Sequence, residues 1–251
     1  MKFLRTLILI PYNIWAWGTF FLLALVDVVL FAVTLTFVRK KPARWLYVWG
    51  YWYSRIWGVL IFLRYEIKGR ELFEKGKAYV ITVNHRGLAD LPLLVASLQY
   101  IQYRPLSKIE LKNIPLLGYL FEKSLVLIDR KDPESRRQGV ETLKTLMADE
   151  GVSPLIFPEG TRNRSNNPLK EFYDGAFRIA IECQVPIVPM VMLNVDAITP
   201  PGSVLIRPGK LYCRFLAPIS TLGLTLDDVK ILKQQVFDLM WKEVETFRGN
   251  R

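Results

Sequence analysis

His85 is the only histidine in the 251-residue chain. It lies in Asn84-His85-Arg86-Gly87-Leu88-Ala89-Asp90, so a carboxylate follows it by five residues. Imidazole titrates near neutrality. With its far nitrogen held by a carboxylate, it serves as a general base toward a hydroxyl. Two further polar clusters stand downstream, Asp129-Arg130 and Glu159-Gly160-Thr161-Arg162-Asn163-Arg164. A glycine there lets a ligand approach the backbone, and arginines fork onto phosphate oxygens. Lys108 adds a point charge between the first two clusters. A base facing such a patch suits activation of a hydroxyl on a phosphorylated alcohol. Singly, each residue has a plainer reading: a polar loop histidine, a helix cap at Asp90, a surface arginine at 130, a polar turn at 159–164.

These residues must be brought together by the elements that carry them. Ala78–Val83 is a short apolar run that reads as a buried strand delivering His85. Ser124–Ile128 is a strand ending at Asp129, and Pro154–Phe157 a strand ending at Glu159. If the three are parallel, all three clusters emerge at one edge of the sheet, where ligands bind in open α/β folds. The helices expected between them run from Asp90 to Leu98, from Asp132-Pro133 (cap and first turn) to Gly151, and over Asp174–Cys183. Ser107–Leu120 reads as short helical pieces broken at Pro115. Prolines 186 and 189 suggest that the strand Val185–Leu193 is irregular or at an edge. Val204–Ile206 and Leu211–Leu216 read as a hairpin. Thr225 and Asp228 form a capping box for a last helix with Val229, Leu232, Val236 and Met240 on one face. The fold class is α/β, a mainly parallel central sheet flanked by helices.

The first 63 residues differ from the rest. Residues 1–70 hold ten Lys/Arg against Asp27 and Glu66, so most of the net charge of +11 resides there. Ile14–Val38 is almost wholly apolar, long enough to span a bilayer with tilt. A basic stop, Arg39-Lys40-Lys41-Pro42, precedes a second apolar-aromatic stretch, Ala43–Leu63. Six of the seven tryptophans fall within residues 15–57, and tryptophan favours the membrane–water interface. Gly50, Ser54 and Gly58 recur at four-residue intervals and would admit a close neighbour. Residues 1–63 therefore read as a membrane-associated helical hairpin with two topologies open, the first helix spanning while the second lies in the interface, or, as preferred, both dipping into one leaflet as a re-entrant pair; residues 64–251 read as the catalytic domain. The expected partner of this basic surface is an anionic membrane, not nucleic acid.

Several chemistries lack their signatures. There is no Gly-x-Ser-x-Gly elbow, Walker loop or Gly-x-Gly-x-x-Gly. No carboxylate cluster asks for magnesium. Cys183 and Cys213 are isolated, so no metal site or disulfide framework is expected.

Residues 84–90 resemble the Asn-His-x4-Asp signature of the glycerolipid acyltransferases, and Phe157-Pro158-Glu159-Gly160-Thr161-Arg162 resembles their phosphate-binding motif. Pro115-x-x-Gly118 through Ile128-Asp129-Arg130 is similar to a second block, and Val185–Pro189 to a fourth, all in the family's order over roughly residues 65–220. The type most resembled is the 1-acyl-sn-glycerol-3-phosphate acyltransferase. The resemblance implies His85 as general base and Asp90 as its partner. It implies that Glu159, Gly160, Thr161 and Arg162 shape the acceptor's phosphate site, with Lys108 and Arg130 also facing the phosphate. It implies lysophosphatidic acid as acceptor, acyl-CoA or acyl carrier protein as donor and no cofactor, with the catalytic domain on the cytoplasmic face of a membrane. Glycerol 3-phosphate or another lyso-lipid is the second choice of acceptor. A non-catalytic lipid-binding membrane protein is the alternative of another class. The chain departs from the family at Gly87-Leu88, at Glu122-Lys123, and at Tyr173-Asp174, where a lysine is frequent.

Overall fold

The computed structural model describes residues 2–38, 43–74, 76–99, 101–115 and 117–250. The expected basic stop at 39–42 lies outside them. The chain divides into two units, one built from residues 1–67, 86–99 and 192–213, the other from 68–85, 100–191 and 214–251.

In the first unit, α1 (Lys2–Phe37) and α2 (Ala43–Leu60) form an antiparallel pair. Its seam is aromatic, and the polar tips of the rings are paired rather than buried bare. Tyr12 donates to Ile61 O (2.7 Å), Trp15 to Leu60 O (2.9 Å), Trp57 to Ala16 O (3.0 Å), Tyr53 to Phe20 O (3.1 Å) and Trp49 to Thr34 Oγ1 (3.1 Å). Within α1, Leu9–Thr34 is 26 residues long and contains an 18-residue window of mean hydropathy 2.2, 17 % of it buried, long and apolar enough to cross a membrane. Ile14, Phe21, Leu22, Leu25 and Val29 stand exposed along it.

The small residues of α2 admit a close neighbour, but that neighbour is α3 (Asp90–Ser97) and the strand after α2, not α1. A Cβ on Gly50 would lie 3.3 Å from Val95 Cγ1, and one on Gly58 would lie 2.9 Å from the Tyr65 hydroxyl. The buried Ser54 hydroxyl donates to Pro92 O. The unit is completed by β1 (Leu63–Lys68), the single-turn α7 (Val195–Ile198) and β7 (Gly209–Phe215). The expected hairpin is half wrong. Residues 204–206 are not a strand, because the Asn13 side chain takes both backbone groups of Ile206 (Ile206 N to Oδ1 2.7 Å, Nδ2 to Ile206 O 3.0 Å).

The second unit holds the parallel sheet, in the order β6 (Ile187–Leu193), β2 (Val80–Val83), β5 (Ser153–Ile156), β3 (Tyr103–Lys108), β4 (Val126–Ile128). All its described pairings are parallel, with Ile81 opposite Leu155 and Val188, Pro105 opposite Leu155, and Lys108 opposite Ile128. The mainly parallel α/β reading stands. β2, β5 and β6 are buried at every position, which is why they read as plain apolar runs. β3 falls where helical pieces were expected to begin. Tyr-Arg-Pro-Leu-Ser-Lys has neither an apolar run nor clean alternation, and its pairing on both sides overrides its propensity. The helical pieces start after it, as a 3-10 turn over Ile109–Asn113 and α4 (Gly118–Ser124). Nor does β6 present an open edge. Beyond its β2 pairing, Pro189 O accepts from Leu216 N (2.8 Å), and Ile187 exchanges two bonds with Ile219.

Helices cover this sheet as their patterns require. α5 (Pro133–Glu150) starts with the Asp132 carboxylate accepting from Glu134 N (2.9 Å) and ends at Gly151 in the left-handed region (φ 66°). It lies so close to β4 that a Cβ on Gly139 would sit 2.3 Å from Ile128 Cγ2. α6 (Gly175–Glu182) and α8 (Val229–Gly249) pack together, α8 burying Val229, Leu232, Val236 and Met240 behind the expected Thr225–Asp228 capping box.

Candidate active site

Four strands of the second unit end at one edge of its sheet, β2 at Val83, β5 at Ile156, β3 at Lys108 and β4 at Ile128. His85 follows the first, Glu159–Arg162 the second and Arg130 the fourth, while Lys108 is the last residue of the third. The parallel register brings together at one edge the histidine and the cations that the sequence singled out.

His85 is fixed through its backbone. Its N–H donates to Glu159 Oε1 (2.9 Å), and its carbonyl accepts from Asn163 N (2.7 Å). Its ring lies on that of Phe157, centroids 4.5 Å apart. The other oxygen of Glu159, Oε2, accepts from Lys170 N (2.9 Å). Glu159 is 1 % exposed and Asn163 0 %, so the buried Glu159 side chain and the backbone N–H of the buried Asn163 join β2's end to the loop after β5. Burial of that kind demands such bonds. Asn163 also closes its own loop, accepting from Ser165 N (3.0 Å) and donating to Asn167 O (3.0 Å).

The Glu159–Arg162 turn needs Gly160, whose φ is +68°. A Cβ there would meet the Tyr173 ring at 2.8 Å. Arg130 donates to Gly160 O, and Lys170 Nζ donates to Thr161 Oγ1 (2.7 Å). Arg130, Thr161, Arg162 and Lys170 are all exposed.

The chain passes from the second unit to the first between His85 and Arg86. In the first unit, Asp90 is fully buried, and its Oδ2 accepts from Arg86 N (2.7 Å) and Gly87 N (2.8 Å). It is the first residue of α3, and its carboxylate reaches back to hold the turn that follows His85. The buried Arg86 guanidinium grips Asp196 (Nε to Oδ1 and Oδ2, both 3.1 Å). A Cβ on Gly87 would lie 2.6 Å from Thr199 Oγ1, which accounts for glycine at this departure from the family pattern.

Asn163, Lys170, Asp196 and Thr199 were not among the site residues expected. Asn163 stands inside the motif loop, and its polarity was the one available signal. Asp196 and Thr199 act on residues 86–89 from about 110 positions away in sequence, with no local pattern to mark them.

The fold is thus that of a parallel α/β protein carrying a histidine and a cationic turn at the carboxyl ends of its strands. The acyltransferase family model matches residues 64–193, more than half of the chain, and the chain belongs to that family. It is 31 % identical over 191 residues to the 1-acyl-sn-glycerol-3-phosphate acyltransferase alpha of Mus musculus, covering 73 % of this chain and 66 % of that protein. It is 30 % identical over 182 residues to an uncharacterized acyltransferase of Schizosaccharomyces pombe (72 % and 65 %). The chain therefore spans somewhat less than two thirds of the length of these curated relatives. The crystal structure of the 1-acyl-sn-glycerophosphate acyltransferase PlsC of Thermotoga maritima shares the fold, with a TM-score of 0.77 at 23 % identity, over 99 % of this chain and 98 % of that one.

Proposed function

We propose that this chain transfers a fatty acyl group from acyl-CoA or acyl carrier protein to the sn-2 hydroxyl of 1-acyl-glycerol 3-phosphate, forming phosphatidic acid. The observation that carries the reading is the gathering of His85, Lys108, Arg130 and the Glu159–Arg162 turn at one edge of the parallel sheet. Family membership and the relatives named for this reaction support it.

In the proposed reaction the acceptor hydroxyl gives its proton to the His85 imidazole as its oxygen attacks the thioester carbonyl carbon. The tetrahedral intermediate collapses, the C–S bond breaks, and the imidazolium returns its proton to the leaving sulfur, releasing the thiol and restoring the neutral base. Asp90 is the carboxylate partner that stabilises that imidazolium. No covalent acyl-enzyme is required. Lys108, Arg130, Thr161 and Arg162 hold the acceptor's phosphate. Glu159, with its carboxylate turned onto backbone N–H groups, shapes that site through the turn it anchors. No cofactor takes part. The apolar length of α1 anchors the protein in the membrane that contains its lipid substrate, with the active site on the cytoplasmic face.

The test is an assay of thiol release by the purified protein with each donor in turn and a panel of acceptors: lysophosphatidic acid, glycerol 3-phosphate, lysophosphatidylcholine and monoacylglycerol. Turnover selective for lysophosphatidic acid is expected. Preference for another acceptor would move the reading within the family. Silence across the panel with tight lipid binding would make the chain a lipid-binding protein instead.

A further inference from the structure

We propose that Lys170 is a further cation of the acceptor site, binding the phosphate monoester dianion beside Thr161. The inference rests on the acyl-transfer reading above and extends its binding site by one residue.

Lys170 does not hang on a loose loop. Its N–H donates to the buried Glu159 Oε2 at 2.9 Å, and the same carboxylate holds the N–H of His85. Leu169, immediately before it, and Phe172, two residues on, are buried, and Tyr173 N donates to Pro158 O at 2.9 Å. The backbone of Lys170 is therefore registered against the catalytic strand ends, and its ammonium is delivered to Thr161 Oγ1 at 2.7 Å.

The partner is the telling feature. Lys144, Lys210, Arg214 and Lys233 each meet a carboxylate. Among the described residues, no carboxylate lies within ion-pair distance of the cations of the Gly160–Thr161 turn. Arg130 is bonded to the neutral carbonyl of Gly160, and Lys170 to the neutral hydroxyl of Thr161. Arg162 is the next residue along. The acid inside this turn, Glu159, is spent on backbone N–H groups, and Glu171 beside Lys170 forms no ion pair with it among the described residues. Three cations thus adjoin two consecutive residues with no anion supplied by the turn itself. A phosphate dianion complements such a set. Thr161 Oγ1, accepting from the ammonium, keeps its own hydrogen to donate to a phosphate oxygen.

The experiment compares wild type, Lys170→Met and Lys170→Arg in phosphatidylcholine vesicles, using the donor that wild type accepts. For Lys170→Met, the KM for lysophosphatidic acid should rise about ten-fold, the loss expected for one charge-assisted bond. Its kcat should stay within about two-fold, and the KM for the donor should not move. Lys170→Arg should restore most of the acceptor affinity. Binding of glycerol 3-phosphate, followed by calorimetry and independent of turnover, should weaken in parallel. An unchanged acceptor KM, a raised donor KM, or a loss confined to kcat and thermal stability would overturn the inference. Wild type that binds glycerol 3-phosphate but turns over no lyso-lipid would sink the acyl-transfer reading and leave this one to the binding comparison. Equal binding by wild type and Lys170→Met would overturn it there too.

Discussion

The backbone N–H of His85 donates to Glu159 Oε1 at 2.9 Å, so the sole histidine and the Glu159–Arg162 turn are joined by a bond across neighbouring strands. Both oxygens of that buried carboxylate are engaged, the second by Lys170 N. Glu159→Gln keeps the shape but replaces one acceptor with an amide N–H₂, leaving a buried N–H facing a donor. That costs about 1–3 kcal/mol. Thermal unfolding should shift down by roughly 2–4 °C per kcal/mol lost, and kcat should fall about ten-fold or more as His85 moves off its position. Wild-type kcat in a variant with the lowered melting point would show that the bond serves the fold alone.

His85→Ala and Asp90→Asn separate chemistry from scaffold. Removing the base should lower kcat by about 10²–10⁴-fold with little change in melting temperature. Asp90→Asn retains an oxygen for Arg86 N and Gly87 N but loses the charge that would stabilise an imidazolium. It should lower kcat strongly while the fold persists. Asp90→Ala strands two buried N–H groups and should destabilise by about 2–4 kcal/mol as well. Acyl transfer at wild-type rates in His85→Ala, measured by thiol release, would remove the imidazole from the mechanism.

Gly87→Ala tests packing rather than chemistry. The new methyl would meet Thr199 Oγ1 at 2.6 Å inside a buried turn. Overpacking of this kind costs about 1–3 kcal/mol. Thr199→Ala removes the obstructing oxygen, so the double variant should recover part of the loss. Denaturant unfolding of the four proteins gives the coupling, and additive losses would mean that the clash is not what excludes a side chain at 87.

How much of this was visible beforehand follows from the range of the interactions. β2, β5 and β6 are buried on both faces and announce themselves as apolar runs, and the Asp132, Gly151 and Thr225–Asp228 caps are local chemistry. So are the motif loops, which is why His85 and Glu159–Arg162 were legible. β3 was not, because Arg104, Pro105 and Lys108 deny it any pattern until its neighbours pair with it. The same holds for Asn13 on Ile206 and Arg86 on Asp196, contacts across 193 and 110 residues made by single polar side chains. Nothing local distinguishes such a side chain from a solvated one. The small face of α2 was legible as a close contact, but not its partner, since a glycine reports proximity without identity.

Arg162→Ala bears on what the cationic turn recognises. The side chain is exposed and lies on a turn whose backbone is fixed independently by Gly160, Asn163 and Glu159. Its removal should leave the melting temperature unchanged. If it grips the acceptor's phosphate in ground and transition state alike, the KM for lysophosphatidic acid rises about ten-fold or more while kcat holds. Arg162→Lys should recover only part of the affinity, because a point charge cannot reproduce the bidentate fork. The same variant should discriminate less between lysophosphatidic acid and monoacylglycerol, which lacks the phosphate. A preference for the phosphorylated acceptor that survives Arg162→Ala undiminished would place phosphate recognition elsewhere at the sheet edge, with Lys108 and Arg130 as the groups to test next.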